Sequence, residues 1–230
     1  MRLVLPRLYV ILDSALLTIP VQDCAQELAD AGVRLLQYRD KTAPSRDLLH
    51  SSRSLASLLT PLGITFIVND RADVAVLAGA SGVHVGQDDL EVEQARALVT
   101  KERWVGVSTH NLEQFRAAAA TSADYIAVGP VFATTSKANP DAVIGTEFLR
   151  RVRDLSDKPI VAIGGITLEN AASVIEAGAD CVAVISDVLR APDRGRRAKQ
   201  YQEVLGSVES KPRPRDEGGY RDSQGLSHGR

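Results

Sequence analysis

Short apolar runs alternate with longer stretches of helical period over almost the whole chain, and no other feature restricts its fold as much. The pattern predicts strands at Leu8–Leu12, Leu35–Tyr38, Thr65–Val68, Gly82–Val85, Trp104–Val107, Tyr125–Val128, Pro159–Ile163 and Cys181–Ile185. YIAV, PIVAI and CVAVI among them carry no polar alternation. A parallel strand covered by other elements is dry on both faces, so it reads as a continuous β-branched run. Amphipathic segments fill the intervals, at Val21–Ala31, Ser45–Leu59, Ala72–Ala78, Leu90–Val99, Leu112–Ala120, Thr146–Leu155, Leu168–Ala177 and Ala198–Leu205. Asn111 and Thr167 are suited to cap helices, each with an acidic residue two positions on. Ala31-Gly32, Ala78-Gly79 and Ala177-Gly178 are suited to stop them. Eight such units in about 200 residues predict a single (β/α)8 barrel, an α/β fold at the small end of its size range. The competing arrangement, an open doubly wound sheet, places a glycine-rich turn after its first strand. Here Leu12 leads into DSALLTIP, which has no glycine.

Composition excludes several classes. The net charge is -2, from 27 Lys+Arg against 29 Asp+Glu, so bulk electrostatics gives no case for a nucleic-acid or membrane-surface partner. The two cysteines, Cys24 and Cys181, lie far apart and outside any metal-binding spacing. No apolar run reaches the ~18 residues of a membrane span. MRLVLPRLYVILDS reads as a first strand rather than a leader peptide, which leaves the cytoplasm as the expected compartment. Residues 1–206 are expected to form the barrel domain. Ser207–Arg230 is rich in Gly, Pro, Ser and charge, cannot bury a core, and is expected to be a disordered tail.

Barrels of this kind place their chemistry where strands end and βα loops begin. Polar residues follow nearly every predicted strand: QYRDK at 37–41, NDR at 69–71, GQDD at 86–89, STH at 108–110, GPVFATTSK at 129–137, GGI at 164–166 and SD at 186–187. Gln37, Arg39 and Lys41 share one parity and face one cavity. Arg39 and Lys41, joined by Lys137, suit a diphosphate, with Arg as a fork and Lys as a point charge. The bland alternative is that the rim cations pair with neighbouring carboxylates. Asp70 and Asp89, at the ends of adjacent strands, are hard oxygen ligands fit for Mg²⁺. Asp88 rivals Asp89, and Asp70 could instead cap the following helix. Gly164-Gly165 before a helix, with Ile185-Ser186, matches the recurrent phosphate site after the seventh and eighth strands. His110 reads as helix entry, and His84 as a packed strand residue.

These strings, in this order, resemble the thiamine phosphate synthase family from about Tyr9 to Leu189: QYRDK, VNDRADVA, GVHVGQDDL, GVSTHN, GPVFATTSK, AIGGI and AVISDVL. The resemblance implies a transferase of thiamine biosynthesis. It would join 4-amino-2-methyl-5-hydroxymethylpyrimidine diphosphate to a thiazole phosphate, giving thiamine phosphate and pyrophosphate. It further implies that Gln37, Arg39, Lys41, Asn69, Ser108 and Lys137 hold the pyrimidine diphosphate, with Arg39, Ser108 and Lys137 closest to the chemistry. Thr134, Thr135, Ser136, Gly165, Ile185 and Ser186 would hold the thiazole phosphate, and Asp70 and Asp89 would bind Mg²⁺. The partners are then small molecules, and a homo-oligomer is compatible with this reading. The nearest rival is the thiazole tautomerase branch of the same superfamily. It has no diphosphate to ionise and is expected to carry a histidine where Pro130 stands.

Overall fold

The computed structural model describes residues 3–134 and 142–209. Eight strands run β1 Leu8–Asp13, β2 Leu35–Arg39, β3 Thr65–Asn69, β4 Gly82–Val85, β5 Trp104–Thr109, β6 Tyr125–Val128, β7 Ile160–Ile163 and β8 Cys181–Val184. Each pairs in parallel with the next, and β8 pairs with β1, so the sheet closes into a barrel. The open doubly wound alternative is thereby excluded. Helices α1 Val21–Asp30, α2 Ser45–Leu59, α3 Ala72–Ala78, α4 Val92–Val99, α5 Leu112–Ala119, α6 Gly145–Arg153 and α7 Ala171–Glu176 follow the first seven strands. A short α8, Ser186–Leu189, and α9, Arg194–Gly206, follow the last.

Several strands run one or two residues further than their apolar runs. Asp13, Arg39, Asn69, Ser108 and Thr109 all belong to strands. Ladder hydrogen bonds continue after the side chains turn polar, so hydropathy ends early at the rim where the chemistry begins. Strand parity sorts the rest. Val10, Leu36, Phe66, Val83, Val105, Ile126, Ile160 and Val182 face outward into the helix-covered core. Tyr9, Ile11, Leu35, Ile67, Tyr125, Ala127, Val161, Cys181 and Ala183 fill the barrel interior.

Helix ends follow local chemistry. Asn111 Oδ1 accepts from the Gln114 N–H at 2.9 Å, so the expected cap of α5 is present. Gly32, Gly79 and Gly178 end α1, α3 and α7 in the left-handed conformation, as expected. Thr167 does not cap α7. Its N–H donates to Asn170 Oδ1 at 2.9 Å, a turn forms there, and the helix starts only at Ala171. A capping box of Glu91 with Gln94 likewise delays α4 to Val92. Asp193 Oδ1 accepts from the Arg196 N–H at 2.8 Å and starts α9 four residues before the apolar period shows.

At the far end of the described residues, Val208 packs against the core, and Arg7 donates to the carbonyls of Leu205 and Val208. The rest of the expected tail, 210–230, lies outside the described residues. No helix among the described residues is long and apolar enough to cross a membrane.

Candidate active site

The carboxyl ends of β1 to β4 bring acids and cations together. Register sets Asp13 beside Arg39 and Asn69 beside His84, all on the inward face. The Arg39 guanidinium pairs with Asp13, which is buried and also accepts from the Ala15 N–H at 3.1 Å. After Arg39 the chain turns around Asp40. Its Oδ1 accepts from the N–H groups of Thr42 and Ala43 at 3.0 and 2.9 Å, and its Oδ2 from the Tyr38 hydroxyl at 3.2 Å. Burial would raise Asp40, but the Thr42 and Ala43 N–H groups, with the Ser14 and Thr42 side chains, outweigh it and hold the carboxyl below its ordinary value. The Asp40 turn presents Lys41, which pairs with Asp70. Arg39 and Lys41 therefore do pair with carboxylates. The pairing keeps them at the mouth, since Asp13 and Asp70 themselves sit on strand ends.

Asp70 does not cap α3. Arg71 occupies that place, and Asp70, at φ 63°, turns its side chain to Lys41 and Asp89. Burial, followed by the Asp89 carboxylate, raises Asp70 above its ordinary value against the pull of Lys41. Asp89 Oδ2 accepts from the Gly86 N–H at 2.8 Å, whereas Asp88 is exposed. Of the two candidates, Asp89 is the one that faces Asp70. Two carboxylates pressed together against their mutual repulsion form a hard, anionic oxygen pair, and that donor set fits Mg²⁺. Among the described residues no group of three or more His, Cys, Asp or Glu could hold a metal. A pair completed by substrate phosphates is how Mg²⁺ is commonly bound.

The next two loops are joined by side chains. His84 Nε2 lies 2.9 Å from Ser108 Oγ, and Gln87 Nε2 donates to the Ser108 carbonyl at 2.6 Å. His110 Nδ1 lies 2.6 Å from the Gly129 carbonyl, ahead of the cis Gly129-Pro130 bond. A cavity of about 600 Å³ is lined by the β4–α4 loop, including Gln87 and Asp89, and by α4 and α5. The predicted polar groups converge at the barrel mouth instead.

The loops after β6 and β7 lie against each other. Val131 and Phe132 donate to the carbonyls of Ile163 and Gly164 at 2.9 and 3.0 Å. Gly165 has φ 63°, and a Cβ there would meet the Ala133 carbonyl oxygen at 2.3 Å, so only glycine fits. Thr134 is half-buried at the end of this described stretch. Ile185 and Ser186 turn from β8 into α8, and Asp187 accepts from the Tyr201 hydroxyl at 2.7 Å, tying that turn to α9. Thr135, Ser136 and Lys137 lie outside the described residues. Sequence reasoning missed Asp13 and took His84 as merely packed. The signal for both was strand parity, which puts Asp13 with Tyr9 and Ile11, and His84 with the inward Gly82.

Cations, hard oxygen ligands and a glycine-lined loop at the carboxyl ends of barrel strands define a class, the (β/α)8 enzymes that handle phosphorylated small molecules. Comparison with known proteins narrows it. The family profile described as thiamine monophosphate synthase matches residues 8–188. The chain is 51% identical over 210 residues to the thiamine-phosphate synthase of Koribacter versatilis (strain Ellin345), covering 88% of this chain and 97% of that one. It is 43% identical over 206 residues to that of Chloroflexus aurantiacus (strain ATCC 29366 / DSM 635 / J-10-fl), covering 89% and 95%. The solved thiamine phosphate pyrophosphorylase from Pyrococcus furiosus superposes with a TM-score of 0.79 at 33% identity, covering 87% and 95%. The chain belongs to the thiamine monophosphate synthase family.

Proposed function

We propose that this chain condenses 4-amino-2-methyl-5-hydroxymethylpyrimidine diphosphate with a thiazole phosphate at the mouth of the barrel, releasing pyrophosphate and forming thiamine phosphate. The observation that carries the reading is the meeting of Lys41, Asp70 and Asp89 beside Arg39, in a chain 51% identical to a thiamine-phosphate synthase.

In this reading Gln37, Arg39, Lys41, Asn69, Ser108 and Lys137 hold the pyrimidine diphosphate. Arg39 has five N–H donors and spends one on Asp13, so its fork is held in place with donors to spare. Lys41 keeps two of its three donors beyond its bond to Asp70. Asp70 and Asp89 hold Mg²⁺, which when bound neutralises charge on the departing pyrophosphate. Thr134, Thr135, Ser136, Gly165, Ile185 and Ser186 hold the thiazole phosphate. The C–O bond to the diphosphate breaks, the aminopyrimidine ring stabilises the carbocation left behind, and the thiazole nitrogen attacks it. Positioning and charge stabilisation carry the rate, so no strong general base is required. Cys24 and Cys181 are buried free thiols, which accords with the reducing cytoplasm.

Lys137 is assigned the charge that builds on the leaving group as the bond breaks. A contact that strengthens in the transition state acts on turnover. Lys137→Ala is expected to lower kcat by ~3 kcal/mol in barrier terms while KM changes less. A kcat within about twofold of wild type in steady-state kinetics would reduce Lys137 to a solvated loop charge, the scale of an exposed ion pair. The reading as a whole is tested in a bacterium lacking its own thiamine-phosphate-forming enzyme. Expression of the chain should restore growth without thiamine. Absence of growth with the folded protein present would contradict the assignment.

A further inference from the structure

Below the mouth, a line of polar side chains crosses the barrel. Gln37 Nε2 donates to the Tyr9 hydroxyl at 2.6 Å. The Tyr9 and Tyr125 hydroxyls are 3.2 Å apart. The Tyr125 hydroxyl lies 3.1 Å from His84 Nδ1, and His84 Nε2 lies 2.9 Å from Ser108 Oγ. Tyr9, Tyr125 and His84 are buried. The His84 ring stacks on Tyr125 at 5.6 Å and 21°, and Tyr9 meets Tyr125 edge-on at 6.2 Å and 80°. Gly106 makes room for this arrangement, since a Cβ there would stand 2.0 Å from Tyr125 Cζ.

Cooperative polarisation favours one direction along the line. A phenol hydroxyl carries one proton and can also accept. Accepting from the Gln37 amide polarises the Tyr9 hydroxyl and favours donation of its own proton to Tyr125. Tyr125 has then accepted, and its proton goes to His84 Nδ1. That places the imidazole proton on Nε2, which donates to Ser108 Oγ. Ser108 has accepted in turn and keeps its proton for a group at the mouth. Burial raises the pKa of both phenols, so they remain donors. Bonds that run one way polarise one another.

We infer that Tyr125 is a positioning residue that holds His84 in its Nε2–H tautomer and thereby makes the Ser108 hydroxyl a hydrogen-bond donor to the substrate. The inference rests on the reading that Ser108 contacts the pyrimidine diphosphate. Tyr125 acts through His84 and Ser108.

Tyr125→Phe removes one oxygen and keeps the stacked ring. Long-range proton–nitrogen NMR of the four histidines, with His84→Gln to assign the signal, reads the tautomer directly. Wild type should show Nε2–H at His84, and Tyr125→Phe a mixture. Tyr125→Phe should lower kcat about tenfold with little change in the KM for the pyrimidine diphosphate. In a Ser108→Ala background the same substitution should cost nothing further, because the line already ends there. An Nδ1–H signal in wild type would overturn the inference, even if the variant failed to fold. So would a variant kcat within about twofold of wild type, or a full additive loss in the double variant. A wild-type protein that forms no thiamine phosphate, yet shows the expected tautomer, would instead overturn the reading of the substrate.

Discussion

Excess EDTA abolishes turnover and added Mg²⁺ restores it, if Asp70 and Asp89 hold the metal. Asp70→Ala and Asp89→Ala are each expected to lower kcat by about 100-fold or more, the loss on removing one preorganised charge-stabilising contact. Asp88→Ala should stay within about twofold, because Asp88 is exposed. The fold should not depend on Asp70. Burial and then Asp89 raise its pKa, so in metal-free protein the ionised form costs stability rather than adding it. Asp70→Asn should therefore leave the metal-free Tm unchanged or raise it while activity collapses, a trade of stability for function. Full activity in excess EDTA would remove the metal from the account. A collapse with Asp88→Ala and silence with Asp89→Ala would reverse the choice between them.

The second large effect belongs to stability. Arg153, on α6, is fully buried and pairs with Asp180 at 2.8 Å, and it also donates to the carbonyls of Ser156 and Lys158. Asp180 Oδ2 further accepts from the Ile160 N–H at 2.8 Å, at the start of β7. Asp180→Ala removes the Asp180 charge from beside a buried guanidinium, which should cost about 3–5 kcal/mol. At about 2–4 °C per kcal/mol for a chain of this size, Tm should fall by roughly 6–20 °C. Three residues earlier on the same helix, Arg150 pairs with Glu147 in solvent, and Arg150→Ala should cost at most about 0.5 kcal/mol. Thermal melts of the two variants compare buried and exposed pairing within one helix. Equal shifts would show that burial of Arg153 is not what makes its pair matter.

Much of the fold was legible in the sequence because barrel strands and helices leave different periods. Ser45–Leu59, Ala72–Ala78, Gly82–Val85 and Tyr125–Val128 are found with the bounds read from hydropathy alone. The errors fall where another interaction sets the boundary. Asn170 delays α7, Asp193 advances α9, and the α8 segment SDVL is too short to show a period. In the site, parity in QYRDK placed Arg39 at the mouth, where the structure puts it, whereas Lys41 lies past the end of β2 and reaches Asp70 through the Asp40 turn. Asp13 escaped because its role appears only once β1 and β2 are in register. His84 escaped because a histidine flanked by Val83 and Val85 reads as core, and only the closed barrel brings it to Tyr125 and Ser108.

Thiamine phosphate formation by the purified chain is the most direct test of the account. The protein is incubated with the pyrimidine diphosphate, the thiazole phosphate and Mg²⁺, and both products are quantified. The account predicts thiamine phosphate and pyrophosphate in equal amounts, with neither formed when either substrate is left out. Folded protein that makes no thiamine phosphate but isomerises the thiazole would contradict it and assign the barrel to the tautomerase branch.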